Sequence, residues 1–133
     1  LKLTPENMPF DTFSVGTQLL PPGCSVREHG HERNHELIHV MQGNGRVVIE
    51  DDEYAAVPGS TILFGRYARH FLENTGHEDM RLFWVFLPPG LEDWFDAIGR
   101  PRTPGEPMPD AFERRADVAD VQKAQRFVAP KSR

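Results

Sequence analysis

Along the first two-thirds of the chain, apolar and polar residues alternate in short runs that are broken by glycine, proline, asparagine and aspartate. Alternation with a period of two is the pattern of a strand that buries one face. It predicts strands over Phe13 to Leu20, Ser25 to His31, Glu36 to Met41, Arg46 to Glu50, Tyr54 to Val57, Ser60 to Phe64, His70 to Glu73 and Met80 to Leu87. Pro21-Pro22-Gly23, Gly43-Asn44-Gly45, Asp51-Asp52 and Pro58-Gly59 supply the turns. No connection is long enough for a crossover helix. The expected fold class is therefore all-β, a small antiparallel β-barrel or sandwich built from hairpins over about residues 13–87.

After Pro88-Pro89 the period changes. Leu91, Trp94, Phe95 and Ile98 fall at i, i+3, i+4 and i+7, which gives one apolar face to a short helix. Glu92 and Asp93 sit in its first turn, where the helix dipole favours anions, and Gly99 can close it. Arg100 to Asp110 is Pro-rich and reads as an extended strap, and Asp117 to Arg126 as a second short helix capped by Asp117. Thr4 to Pro9 reads as a polar surface lead-in. The tail, residues 88–133, thus adds one or two helices to a single domain spanning 1–133.

Twelve prolines and eleven glycines in 133 residues agree with many turns. The net charge of -5 is spread over interspersed acids and bases without a Lys/Arg cluster. That argues against nucleic acid or a membrane surface as partner and for a small molecule. One cysteine, Cys24, forms no internal disulfide, which fits a reducing compartment, and the expected location is cytoplasmic. The opening residues LKLTPENMPF do not have the character of a signal peptide, and no apolar run approaches the length of a membrane span.

Gly23 to Gly43 places four histidines and three glutamates within twenty-one residues. His29 and His31 are two apart, so on a strand they leave the same face, and unbroken alternation puts Arg27 beside them. Glu36 opens the next strand, which can carry its carboxylate back to that face, and His70 follows another strand-like run. Three imidazoles and a carboxylate suit Fe, Mn, Ni, Zn or Cu as a divalent ion. The same stretch contains His31-Glu32-Arg33-Asn34-His35, literally the HExxH pattern of zinc proteases. That pattern works only from one helix, and here the flanks are strand-like, so the protease reading is rejected. His35, His39 and His77 are read as ordinary polar residues; His39 is out of phase with Glu36.

Gly23, His29, His31, Glu36 and Gly43 fit the spacing G-x5-H-x-H-x3,4-E-x6-G, and Gly59, His70 and Asn74 fit G-x5-P-x-G-x2-H-x3-N. In these two motifs the chain resembles the cupins. It departs from the second motif at Gly65, where proline is usual, and at Tyr67, where glycine is usual. The resemblance implies a small β-barrel, commonly a homodimer, that holds one metal ion through His29, His31, Glu36 and His70. In some dioxygenases of the family the glutamate also exchanges a proton with substrate, which makes Glu36 a catalytic candidate. The tail resembles, more loosely, that of small quercetin dioxygenase-like cupins.

Four protein ligands leave open positions on a metal that prefers six. The expected function is a metal-dependent oxygenase acting on a small aromatic or enolisable compound. The alternatives are a non-redox isomerase, lyase or decarboxylase, and a non-catalytic ligand-binding module. Arg27 is the candidate for an anionic substrate group, and Phe64, Tyr67, Phe83 and Trp84 are the candidate aromatic walls, with Phe71 beside them.

Overall fold

The computed structural model describes residues 1–107, 109–110 and 112–131. The eight expected strands form in the expected order: β1 (Ser14–Leu20), β2 (Ser25–His31), β3 (His35–Gln42), β4 (Gly45–Ile49), β5 (Asp52–Ala56), β6 (Thr61–Phe64), β7 (His70–Asn74) and β8 (Met80–Leu87). Helices α1 (Leu91–Ile98) and α2 (Val118–Ala124) follow, and then a two-residue strand, β9 (Phe127–Val128), which no sequence pattern announced.

The strands pair antiparallel in two sheets, ordered β1-β8-β3-β6 and β5-β4-β7-β2-β9. Among the described residues no ladder closes the two sheets into one, so the expected barrel is a jelly roll of two facing sheets. Of the hairpins expected from the turn signals, only β4–β5 joins consecutive strands. Its turn falls at Glu50-Asp51, one residue earlier than expected, with Glu50 in the left-handed region at φ 56°. β2 and β3, neighbours in sequence, lie in different sheets. That separation sets the architecture of the site.

Alternation on β8 shows how the core is built. Met80, Leu82, Trp84 and Phe86 are buried, while Arg81 is exposed and Phe83 and Val85 are half-buried on the other face. They meet Val40, Val47, Phe64 and Leu72 from both sheets. Burying side chains of this size stabilises a fold by about 1.5–3 kcal/mol each. Gly16 lies opposite Trp84, and a Cβ there would sit 2.3 Å from the indole Cζ2. Asn74, fully buried, donates to Leu20 O at 2.8 Å and Glu78 O at 2.7 Å, and accepts from the Gly76 N–H at 2.9 Å. It ties the end of β1 to the β7–β8 turn.

The lead-in is less superficial than expected. Leu3 forms a β-bridge with Val15, and Thr4 is buried, because β1 is an edge strand with free backbone groups. α1 lays Leu91 and Trp94 on the core and stacks Phe95 on Trp84 with ring centroids 5.9 Å apart. Gly99 closes it as expected, its N–H donating to Phe95 O at 2.7 Å. Asp117 precedes α2 but makes no side-chain cap; its carboxylate is taken by the Arg115 guanidinium at 2.7 Å and 2.9 Å. Between the helices the described residues form neither helix nor strand, and of the expected strap Met108 lies outside them. β9 pairs with β2, Val128 opposite Gly30 and Phe127 opposite His31. The Lys131 N–H donates to Glu28 Oε2 at 2.7 Å and Arg69 Nε to Ala129 O at 2.9 Å. The tail is thereby fastened to the strand that carries two histidines. No helix among the described residues is long and apolar enough to cross a membrane.

Candidate metal centre

His29 stands directly opposite His70 in the β2–β7 ladder, and His31 lies two residues further along β2. Glu36 enters from β3, in the other sheet. The carboxylate therefore reaches the face that bears the histidines from across the sandwich. One ligand atom from each of the four residues lies within 4.8 Å of the others. His31 and His70 are buried, and the Glu36 side chain is 12% exposed.

Hydrogen bonds orient the rings. His29 Nδ1 lies 2.8 Å from Arg27 O and His70 Nδ1 3.0 Å from Ala68 O. A carbonyl only accepts, so each Nδ1 carries a proton, and in the neutral form of each ring Nε2 is the nitrogen with the lone pair. Glu36 Oε2 lies 3.0 Å from His31 Nε2, within hydrogen-bond geometry. It lies 3.2 Å from His70 Nε2, but off the bonding direction, and that buried nitrogen has no hydrogen-bond partner. Ring stacking holds His70 against Phe64, with centroids 3.9 Å apart and planes within 5°. Phe86 meets His31 edge-on at 4.7 Å.

The electrostatics follow from this packing. Burial, then the neighbouring His70, lower the His29 pKa to about 3 despite the Glu36 carboxylate. Burial alone would push Glu36 up, but the His31 and His70 imidazoles beside its carboxylate outweigh it and hold Glu36 well below the usual carboxylate range. The cluster thus presents neutral His29 and an ionised carboxylate, the protonation states that metal ligation requires. A buried Nε2 left without a hydrogen bond is costly in a folded protein. Its lone pair fits a metal ion, as do the backbone-oriented Nδ1–H groups of His29 and His70. All four candidate ligands are brought together.

A cavity of about 150 Å³ opens beside His29. Arg27 lines it, although β2 is irregular between Val26 and His29 and its alternation is not unbroken there. The other candidates fare differently. Phe64 is buried beneath His70, and Trp84 is buried against Phe95. Phe83 follows the strand alternation to the outer face of β8, where it lies opposite His39, and Phe71 likewise faces out beneath the Arg46 guanidinium. Tyr67 occupies a turn at φ 66° with its side chain 59% exposed. None of Phe83, Phe71 and Tyr67 lines the cavity. Its walls come from β1 and β2 (Gln18, Ser25, Val26 and His29 beside Arg27), from α1 (Leu91, Trp94, Phe95 and Ile98) and from the tail (Arg114, Gln122 and Phe127). The apolar face of α1 was visible in sequence as a packing face; nothing marked Phe127 or Arg114. His31 ends β2 and His35 begins β3, so the HExxH pattern spans a turn and not a helix.

Two facing antiparallel sheets with a three-histidine, one-carboxylate cluster between them define a small metal-binding-capable jelly roll. The chain belongs to the cupin family, whose domain model matches residues 16–86. It is 29% identical over 68 residues to the oxalate-binding protein of Thermotoga maritima, covering 51% of this chain and 56% of that protein. It is 27% identical over 86 residues to tetracenomycin polyketide synthase protein TcmJ of Streptomyces glaucescens, covering 65% and 58%. The crystal structure of a predicted oxalate decarboxylase from Thermotoga maritima superposes with a TM-score of 0.60 at 27% identity, over 65% of this chain and 75% of that one. The chain spans 56% to 62% of the length of the curated relatives it matches.

Proposed function

We propose that the protein is an enzyme that holds one divalent transition metal (Fe, Mn, Ni, Zn or Cu) through His29, His31, Glu36 and His70 and acts on a small enolisable compound. The observation that carries this reading is the buried His70 Nε2, without a hydrogen bond, converging with the Glu36 carboxylate and the two other imidazoles beside a cavity. When bound, such a metal supplies Lewis-acid polarisation of a carbonyl or enolate oxygen. The chain's own residues do the rest. Arg27 O and Ala68 O fix the tautomers of His29 and His70. Leu91, Trp94 and Phe127 shield the cavity from water. Glu36, held ionised, has no proton to donate, and its lowered basicity suits ligation. Non-redox chemistry is the reading we favour, because the relatives reported above are named for oxalate or for polyketide synthesis and not for oxygenation. The oxygenase is its rival. Assembly as a homodimer in the cytoplasm belongs to the same proposal, and light scattering tests the dimer.

Elemental analysis of protein purified without a histidine tag tests the centre. About one equivalent of metal per chain, lost in Glu36→Ala, is the expected result; no metal in either protein overturns it. Oxygen uptake coupled to turnover of an enolisable compound replaces the non-redox reading with the oxygenase.

A further inference from the structure

The cavity beside His29 carries charge that the candidate ligands do not use. Two guanidinium groups line it, Arg27 from β2 and Arg114 from the segment leading into α2. Among the described residues neither has a carboxylate oxygen within 4.0 Å. Several acids of the neighbouring elements are engaged elsewhere. Glu36 Oε2 serves His31, Glu28 accepts from the Lys131 N–H, Glu92 from the Gly90 N–H, and Asp117 from Arg115. Burial and the charge of Arg27 together pull Arg114 below the ordinary guanidinium value. Apart from His29, the other walls are uncharged: Val26, Leu91, Trp94, Phe95, Ile98 and Phe127 are apolar, and Gln18, Ser25 and Gln122 are polar.

Two like charges that line one cavity repel each other even though both residues reach solvent, and an entering anion relieves that repulsion. The planar guanidinium fork matches a carboxylate in two parallel hydrogen bonds. The volume of about 150 Å³ holds a small organic molecule and no nucleotide. We infer that this cavity binds a small organic carboxylate, its carboxylate between Arg27 and Arg114 and its other end turned toward His29. The inference rests on the reading of the cavity as the substrate site of the proposed metal centre. Arg114 is then a specificity-determining residue supplied by the tail, which β9 and Lys131 hold against β2.

The test uses the full chain with its metal content measured alongside. Malonate and benzoate are titrated against their uncharged amides, malonamide and benzamide, with Trp94 fluorescence and calorimetry as readouts. Wild type is expected to bind at least one acid roughly tenfold or more tighter than its amide, as a charge-assisted hydrogen bond requires. Arg114→Gln and Arg27→Gln are expected to collapse that acid-to-amide ratio, Arg114→Lys to restore part of it, and all three to keep the wild-type metal content. A lesion that only loosens the fold weakens acid and amide alike and leaves the ratio standing. An unchanged ratio in both glutamine variants overturns the inference, as does wild type that prefers neither acid. Inorganic phosphate bound as tightly as the carboxylates, with the same loss in the variants, overturns the carboxylate assignment. Wild type without metal whose acid-to-amide ratio still depends on Arg27 and Arg114 refutes the metal reading and leaves the anion site intact.

Discussion

Replacing His29 by Ala should flatten the pH dependence of stability of the metal-free protein between pH 7 and pH 5. In the native state burial and His70 hold the His29 pKa at about 3. In the unfolded chain an ordinary histidine titrates near pH 6.5. Above about pH 6.5 the residue is neutral in both states and contributes nothing to the pH dependence. As the pH falls toward 3 the unfolded chain takes up a proton that the native state refuses, so stability is lost on acidification, at a limiting slope of about 1.4 kcal/mol per pH unit. Integrated from pH 7 to pH 5 with these two values, the loss is about 2 kcal/mol.

The window is chosen to isolate this group. Glu36 is depressed, so its contribution is complete above the ordinary carboxylate value and is lost only as the pH falls below about 4.5. His29→Ala also loses contacts with Phe127, stacked 5.3 Å away, but that cost is the same at every pH. Urea unfolding of both proteins in chelator at pH 7, 6 and 5 reads the difference directly. The stability gap between wild type and variant should narrow, or reverse, by about 2 kcal/mol over the window. Parallel curves would show that His29 is protonated as readily in the native state as in water, and the electrostatic account of the cluster would be wrong.

Three further outcomes are expected. Gly16→Ala should destabilise by about 2–3 kcal/mol in urea unfolding, because the new Cβ would meet the Trp84 ring at 2.3 Å in the buried core; a loss under about 0.5 kcal/mol would mean the indole can move aside. Asn74→Ala should cost about 3 kcal/mol, since it strands the buried Leu20 carbonyl and frees the β7–β8 turn, and a near-neutral variant would show that water replaces the amide. Divalent metal at about one hundred times its dissociation constant should add about 2.7 kcal/mol and raise the Tm by roughly 10 °C. His29→Ala should abolish that rise, and an equal rise in the variant would take His29 out of the ligand set.

Much of the fold was legible in the sequence, and the reason is local. Strand alternation and turn chemistry act over a few residues, so the eight strands could be placed before any pairing was known. Pairing is not local. β3 lies beside β6 and β8, and nothing in the stretch from Glu36 to Met41 says so. The ligand set was legible because the spacing of His29, His31, Glu36 and His70 matched a family pattern, but no local signal says that Glu36 comes from the opposite sheet. The aromatic walls were legible only in part. Phe83 and Trp84 are adjacent on one strand and cannot face the same way, so naming both guaranteed that one pointed outward. β9 has only two residues and owes its pairing to the free edge of β2, a property of the sheet and not of Phe127 or Val128.

The division of the site between the sheets implies that its parts should differ in tolerance to change. His31 and His70 are buried core residues as well as ligand candidates, packed on Phe86 and Phe64, so their loss disturbs folding and metal binding together. His29, at the cavity, lies where the tail meets the barrel, and its ring touches Phe127 from a strand that exists only because the tail docks. The cavity above it is walled partly by β2, within the first motif, and partly by α1 and the tail, which lie outside both motifs. At the proposed centre the interior of the jelly roll would govern ion binding, while Arg27, α1, Arg114, Gln122 and Phe127 would govern what reaches it. Substitutions in the tail should accordingly change which ligand binds before they change how much metal is bound, an order that parallel metal and ligand titrations of Arg114→Gln and Phe127→Ala can establish. Loss of metal in both variants ahead of any change in ligand preference would contradict this division.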